Sequence, residues 1–490
     1  MQRAPHVAVI YHSRKGTLHA LARAAADGAL AGGATVRLRR VEDRALKGPP
    51  PGAPHPVPVA THDDVLWADG IVLGTPTYFG NVSAALKQFL ESTSDLWRAG
   101  ALADRVVTGM TSANSPHGGR EATLLALYRS MYHWGTLIMS ADPTDSSFTA
   151  AGASPYGVGA PRPPTAPSPT PTCAPRASLG RRIGHYAHQL AASRAARSTT
   201  RPTRIAVLHH PDCASTRILA DALARGARSA QAEVRIRPLA PPGTAHTPTG
   251  ARAATPADVA WADAVAFGAP VRAGLVAPLL SQFLAACEPL RTTGELAGKT
   301  VTAFVTTSHP HSGSETALLA LYDVLHHWGA VLVPPGYTDP AVAAAGGNPY
   351  GTAHSTAGGS RPADATVKAA AFQGQRLARL TARLRGRCVT SPGPPREPRP
   401  RTEQDRSRPA RRCSPCPRGT HVTPARTPPP PRNRAPCASA TSATCWTTTT
   451  GTGRRHRPSC ARTPRPDLPR TAPAGRPHRT RAGRRGHRAR

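Results

Sequence analysis

A chain of 490 residues is too long for one ordinary domain, and its 54 prolines and 43 glycines exclude a single continuous core. The net charge of +35 is uneven: residues 388–490 hold 24 arginines, no lysine and 4 acidic residues. No apolar run reaches the ~18 residues of a membrane span, and the start is too short for a secretory signal, so the expected compartment is the cytoplasm. In chain order, Val7-Ala8-Val9-Ile10-Tyr11 suits a strand buried on both faces. An Ala-rich stretch over 18–30 predicts a helix stopped by Gly32-Gly33. Further strands are expected at 35–38, 71–73, 106–110 and 137–139, with helices near 82–93, 121–134 and 179–192. Such alternation predicts an α/β fold, a five-stranded parallel sheet with helices on both faces. Residues 140–177, rich in Pro, Ser and Thr, read as a partly disordered insertion after the fifth strand.

The pattern then recurs. Leu124-Leu125-Ala126-Leu127-Tyr128 returns as Leu318-Leu319-Ala320-Leu321-Tyr322, and His133-Trp134-Gly135 as His327-Trp328-Gly329. Pro155-Tyr156-Gly157 returns as Pro349-Tyr350-Gly351, at the same offset of 194. The expected organisation is two tandem domains, 4–197 and 202–387, joined by a linker at 198–201. A basic tail over 388–490 follows. The tail lacks Ile, Phe, Tyr and Met, so it cannot bury enough apolar surface to offset its ordering entropy and is expected to be disordered. Six of the nine cysteines lie in that tail and the other three, Cys173, Cys213 and Cys287, are scattered, which does not suggest a disulfide framework.

Two loops carry the chemistry. Ser13-Arg14-Lys15-Gly16-Thr17 links the first strand to the first helix. Hydroxyls, a glycine and free amides at a helix N-terminus suit a phosphate monoester, and equally an ordinary turn with a Thr cap. Gly74-Thr75-Pro76-Thr77-Tyr78-Phe79-Gly80-Asn81 follows the third strand and sets aromatic faces at the carboxyl edge of the sheet. A flat heteroaromatic ring could stack there; a turn shaped by Pro76 and Gly80 would use the same residues.

Together with Leu96-Trp97-x-x-Gly100, Gly118-Gly119-x-Glu121 and His133, these motifs resemble, in order, the tryptophan-repressor-binding-protein (WrbA-type) NAD(P)H:quinone oxidoreductases, relatives of flavodoxin. The resemblance covers both repeats, with the full motif set only in the first. It implies two flavodoxin-like domains, noncovalent FMN, NADH or NADPH as reductant and two-electron transfer to a quinone or similar acceptor. Carried over by position, it implies that Ser13, Arg14, Lys15, Gly16, Thr17 and Leu18 hold the phosphate. Thr77, Tyr78 and Phe79 would flank the ring, and Ser112, Ala113, Asn114, Ser115, Pro116 and His117 would line its pyrimidine edge. His133 would reach the flavin from the fourth helix, and Trp97 would wall the substrate pocket. Packing roles in a core and an interface are the alternatives for Trp97 and His133. The flavin carries the chemistry, so no side-chain nucleophile and no metal are expected.

The chain departs from the family where Tyr78 replaces an arginine, where Lys15 replaces a tyrosine, and where Ala113-Asn114-Ser115-Pro116-His117 replaces a glycine-rich loop. In the second repeat Ser13 corresponds to Pro211, Gly16 to Ala214, Thr77 to Val271, Phe79 to Ala273 and Trp97 to Arg291. That copy is expected to lack a cofactor. Because the family assembles as tetramers, two chains are expected to form a pseudo-tetramer, a homo-oligomer with two flavins. The alternative reading is a non-catalytic FMN-binding or partner-binding scaffold. The tail's arginines would give weak, salt-sensitive nucleic-acid binding or merely a solvated extension. Cys413-x-x-Cys416 has no second pair at matching spacing for zinc.

Overall fold

The computed structural model describes residues 3–43, 57–150, 152, 154–161, 174–192, 201–359 and 361–385. The expectations for the tail over 388–490, and for the linker at 198–200, therefore lie outside the described residues. Both repeats fall within one compact unit, Met1–Arg396. Repeat one runs β1 (His6–Tyr11), α1 (Thr17–Ala31), β2 (Thr35–Arg40), α2 (His62–Trp67), β3 (Gly70–Pro76), α3 (Ala84–Ser92) and α4 (Ser94–Arg98). It continues with β4 (Val106–Ala113), α5 (Arg120–Trp134), β5 (Leu137–Met139), α6 (Ser146–Ala150), β6 (Val158–Pro161) and α7 (Ala174–Ala192).

Repeat two restates this order. It runs β7 (Arg204–His209), α8 (Ala214–Ser229), β8 (Glu233–Pro238), α9 (Pro256–Trp261), β9 (Ala264–Arg272), β10 (Leu275–Val276), α10 (Pro278–Ala286) and α11 (Glu288–Thr292). There follow β11 (Thr300–Thr307), α12 (Ser314–His326), β12 (Val331–Leu332), α13 (Pro340–Ala344), β13 (Ala353–Ser355) and α14 (Asp364–Leu384).

The predicted α/β architecture holds, and the two sheets are fused. One 13-stranded sheet follows the path β2-β1-β3-β4-β5-β12-β11-β9-β7-β8. Strands within each half of the path pair in parallel. The halves meet antiparallel, Val331 opposite Met139 and Leu332 opposite Ile138. One apolar core lies on each face of the sheet, and each contains residues of both repeats.

The repeat pattern has local causes. Val7 to Tyr11 are fully buried in β1, as their apolar run requires. α2 and α9 start with the same capping box, Thr61 with Asp64 and Thr255 with Asp258. The insertion over 140–177 has structure of its own where it is described, and residues 151, 153 and 162–173 lie outside the described residues. β5 stops after three residues, α6 intervenes, and β6 returns beside β4 with Met110 opposite Val158.

Candidate functional site

β1 delivers its chain to the carboxyl edge of the sheet, where loop 12–16 turns into α1. Gly16 makes that turn at φ 82°, a left-handed conformation that side chains resist, and no side chain caps the helix that follows. No acidic residue stands in the first turn of α1. Its amides and positive dipole end are therefore open to an anion. Beside them Ser13 is only 7 % exposed, and its Oγ has no hydrogen-bond partner among the described residues. A buried unpaired hydroxyl is costly, and it marks where a ligand oxygen belongs.

The pocket in front of these groups, about 120 Å³, draws on three loops. Ser13, Arg14, Lys15, Thr17 and Leu18 come from the first, Thr77 and Tyr78 from the turn after β3, and Ser112, Ala113 and Asn114 from the end of β4. Ten of the predicted cofactor residues thus meet. Thr77 is fixed by its hydroxyl contacts with Thr111 at 3.2 Å and Thr123 at 3.0 Å. Phe79 projects fully into solvent at φ 50° and, with Ser115, Pro116 and His117, does not line the pocket.

His133 and Trp97 lie elsewhere. They line a separate cleft of about 350 Å³ with Lys87, Arg129 and Trp134. Trp97 Nε1 donates to the His133 carbonyl at 2.9 Å, and His133 Nε2 lies 3.1 Å from the Tyr350 hydroxyl of repeat two. The reason is geometric. His133 stands 13 residues into α5, about 20 Å along the helix from the loop that borders the pocket. Within one chain these two residues do not reach the loop pocket, contrary to the expected reach of His133. Burial lowers the His133 pKa.

Beneath the pocket is a network that sequence reasoning missed. His12, 3 % exposed, has Nδ1 at 2.9 Å from Ser83 Oγ and Nε2 at 2.9 Å from Asp43 Oδ2. Arg14 Nε donates to the same carboxylate oxygen at 2.8 Å. Burial lowers the His12 pKa despite Asp43, so the ring is neutral at pH 7. The Asp43 carboxylate raises the Arg14 pKa, with a smaller contribution from Tyr78. A histidine at a strand end gives no signal in the sequence that it faces an aspartate 31 residues on.

At the corresponding place in repeat two, side chains bond one another. Thr216 Oγ1 lies 2.9 Å from Thr306 Oγ1, and Cys213 Sγ lies 3.4 Å from the same oxygen. Thr216 and Thr306 are buried, and they tie the start of α8 to the end of β11. Their counterparts in repeat one, Leu18 and Ser112, both line the pocket. Among the described residues no group of three or more His, Cys, Asp or Glu could hold a metal ion, and no helix is long and apolar enough to cross a membrane.

Comparison with known proteins bears on this geometry. The sequence is 36% identical over 160 residues to an NAD(P)H dehydrogenase (quinone) of Deinococcus radiodurans, covering 31% of this chain and 80% of that protein. A protein of the same name from Cupriavidus metallidurans is 37% identical over 159 residues, with the same coverage. Among solved structures, the WrbA-like flavodoxin of Agrobacterium tumefaciens is 24% identical, covering 38% of this chain and 98% of that one, at a TM-score of 0.29. The sequence model of the NADPH-dependent FMN reductases matches twice, over residues 5–142 and 211–342, once in each half of the fused sheet. With its sheet edge, uncapped helix and three converging loops, this chain belongs to the NADPH-dependent FMN reductase family.

Proposed function

We propose that the chain is an FMN-dependent NAD(P)H:quinone oxidoreductase whose flavin is held by repeat one. The observation that carries this reading is the buried, unpartnered Ser13 Oγ beside the uncapped N-terminus of α1. An FMN phosphate fits that cradle: it is a dianion acceptor, and every group facing it is a donor or a positive dipole end. Ser13, Thr17 and the first amides of α1 hold the phosphate, and Gly16 gives the backbone its close approach. Thr77 and Tyr78 border the ring, and Ser112 to Asn114 face its polar edge. When bound, FMN supplies two-electron transfer between the nicotinamide and a quinone. The protein binds and orients the ring. The names of the two relatives, both NAD(P)H dehydrogenase (quinone), support this assignment.

Repeat two takes no flavin in this reading, because Pro211 and Ala214 stand where repeat one has Ser13 and Gly16, and Thr216 and Thr306 bond each other beside them. Two chains pair as a pseudo-tetramer. Support comes from the incompleteness of the site: about 120 Å³ is well below the roughly 300–1,000 Å³ of ordinary ligand pockets, and Phe79 is wholly exposed. A partner surface would complete the enclosure.

The test is spectroscopic. Purified protein should titrate with one FMN per chain, bleach when NADPH or NADH is added, and regain colour with a quinone. Mass photometry of that sample should give twice the chain mass. A folded protein that refuses FMN overturns the assignment. Flavin that stays oxidised with both nucleotides removes the enzyme and leaves a binding scaffold. Two FMN per chain overturns the restriction to repeat one, and monomers alone overturn the pairing.

A further inference from the structure

Arg14 lines the loop pocket, and its Nε donates to Asp43 Oδ2 at 2.8 Å. Its side chain is 42% exposed, against 11% for Asp43 and 3% for His12. An exposed arginine ordinarily wanders among rotamers, so fixing it on a ligand loses entropy. Here the loss is already taken. The Asp43 carboxylate can only accept, which assigns the ring hydrogen of His12 to Nε2; Nδ1 then accepts from the Ser83 hydroxyl. Ser83 is in turn the N-cap of α3, accepting from Leu86 N, and its own amide donates to Thr75 Oγ1 at 2.9 Å. The chain Ser83–His12–Asp43–Arg14 joins the loops after β3, β1 and β2. Serine, histidine and aspartate in line suggest a nucleophilic triad. Ser83, at 1 % exposed, is out of reach of any substrate, so the network acts through Arg14 instead.

We propose that Arg14 recognises the phosphates of the nicotinamide dinucleotide at the mouth of the flavin pocket, and that Asp43 and His12 are positioning residues that aim it. This rests on the oxidoreductase reading above. The flavin phosphate has its own donors in Ser13, Thr17 and the α1 amides. Arg14 spends Nε on Asp43, and among the described residues its terminal N–H groups hold no hydrogen bond, which leaves the planar fork that matches phosphate oxygens. Lys15, also exposed and lining that pocket, adds a second positive charge.

Steady-state kinetics of the holoprotein with NADPH tests the assignment. Arg14→Gln should raise KM about tenfold or more, the loss expected for one charge-assisted hydrogen bond. FMN affinity should fall by less than KM rises, because Ser13, Thr17 and the α1 amides still hold the flavin phosphate. Arg14→Lys should fall between, keeping the charge without the fork. His12→Phe and Asp43→Asn should each raise KM in the wild-type background and add nothing to Arg14→Gln, because they act through it. Weakened FMN binding with an unchanged KM would overturn the proposal and return Arg14 to the flavin phosphate. Equal effects of His12→Phe or Asp43→Asn with and without Arg14 would overturn the aiming role. A wild-type protein whose flavin no nucleotide reduces would instead overturn the oxidoreductase reading itself.

Discussion

An unpaired buried hydroxyl costs about 1–3 kcal/mol, so Ser13 Oγ is a liability in the free protein that a phosphate would convert into a contact. The substitution Ser13→Ala should therefore separate the two states. Without ligand it removes no hydrogen bond, and the melting temperature should hold or rise slightly. With FMN it deletes one charge-assisted bond, about 1.5–3 kcal/mol, and affinity should fall by ~10–100-fold in a fluorescence titration. Equal FMN affinity in the variant would show that the phosphate does not sit there. Much of this site was legible in the sequence. A hydroxyl-glycine turn after an apolar run, and an aromatic turn after another, place their groups at one sheet edge by topology alone. His12 and Asp43 were not, because their pairing depends on where the chain after β2 passes. Nor was the position of His133, since the resemblance supplies a residue's identity and the length of α5 decides what it can touch within one chain.

Helix packing at the element scale turns on glycines that do not need their conformational freedom. Gly374 on α14 faces α8 so closely that a Cβ would run into the Leu223 carbonyl oxygen. Gly184 on α7 is looser, with Ala29 O at 3.7 Å from the position of its Cβ. Alanine gains roughly 1 kcal/mol of helix propensity over glycine at either position. At Gly374 the overpacking penalty, about 1–3 kcal/mol or more, exceeds that gain because a backbone atom cannot swing aside. Gly374→Ala should lower the thermal midpoint by several degrees, while Gly184→Ala should raise it or leave it unchanged. A stabilising Gly374→Ala would mean that the two helices are not held at this distance. The strands were legible as short apolar runs, but the short α2 and α4, the return of β6 and the fusion of the sheets were not. The fusion has a physical signature in retrospect. The outer edges carry Arg37 and Arg39 bound to Asp64, and Arg235 and Arg237 near Asp258, charges that discourage strand addition. The joined edges are Leu137-Ile138-Met139 and Val331-Leu332, which carry none.

Across the whole molecule the seam is self-complementary, as a twofold contact must be. Tyr132 stacks on Tyr322 at 5.4 Å and Tyr128 on His326 at 5.3 Å, the same pair of positions taken in each direction. Tyr350 meets His133 at 3.1 Å and Tyr156 meets His327 at 3.2 Å; Arg376 donates to the Gly135 carbonyl at 2.6 Å and Arg182 to the Gly329 carbonyl at 2.8 Å. Where repeat one has Tyr132, repeat two has His326, and this difference makes the seam sensitive to acid. Burial pushes the His326 pKa down to about 3, with His327 adding a little. In the unfolded chain it returns to about 6.5. The unfolded state therefore takes up the proton first as pH falls. The stability is fully present above pH 6.5 and is lost between there and about 3, at up to ~1.4 kcal/mol per pH unit. Asp323, on the same helix, acts in the opposite sense: burial raises its pKa to about 6, so its protonation on acidification favours the folded form, and Arg129 tempers that shift. Both His327 and Asp323 remain in a His326→Phe variant, which keeps a ring on Tyr128 and removes the titration. Urea unfolding at pH 7 and pH 4.5 should show wild type losing more stability than the variant, by on the order of 2 kcal/mol. Equal losses in the two proteins would mean that His326 is protonated, or wet, in the native seam, and that the halves are held together by the backbone pairing of β5 with β12 and the symmetric contacts around it.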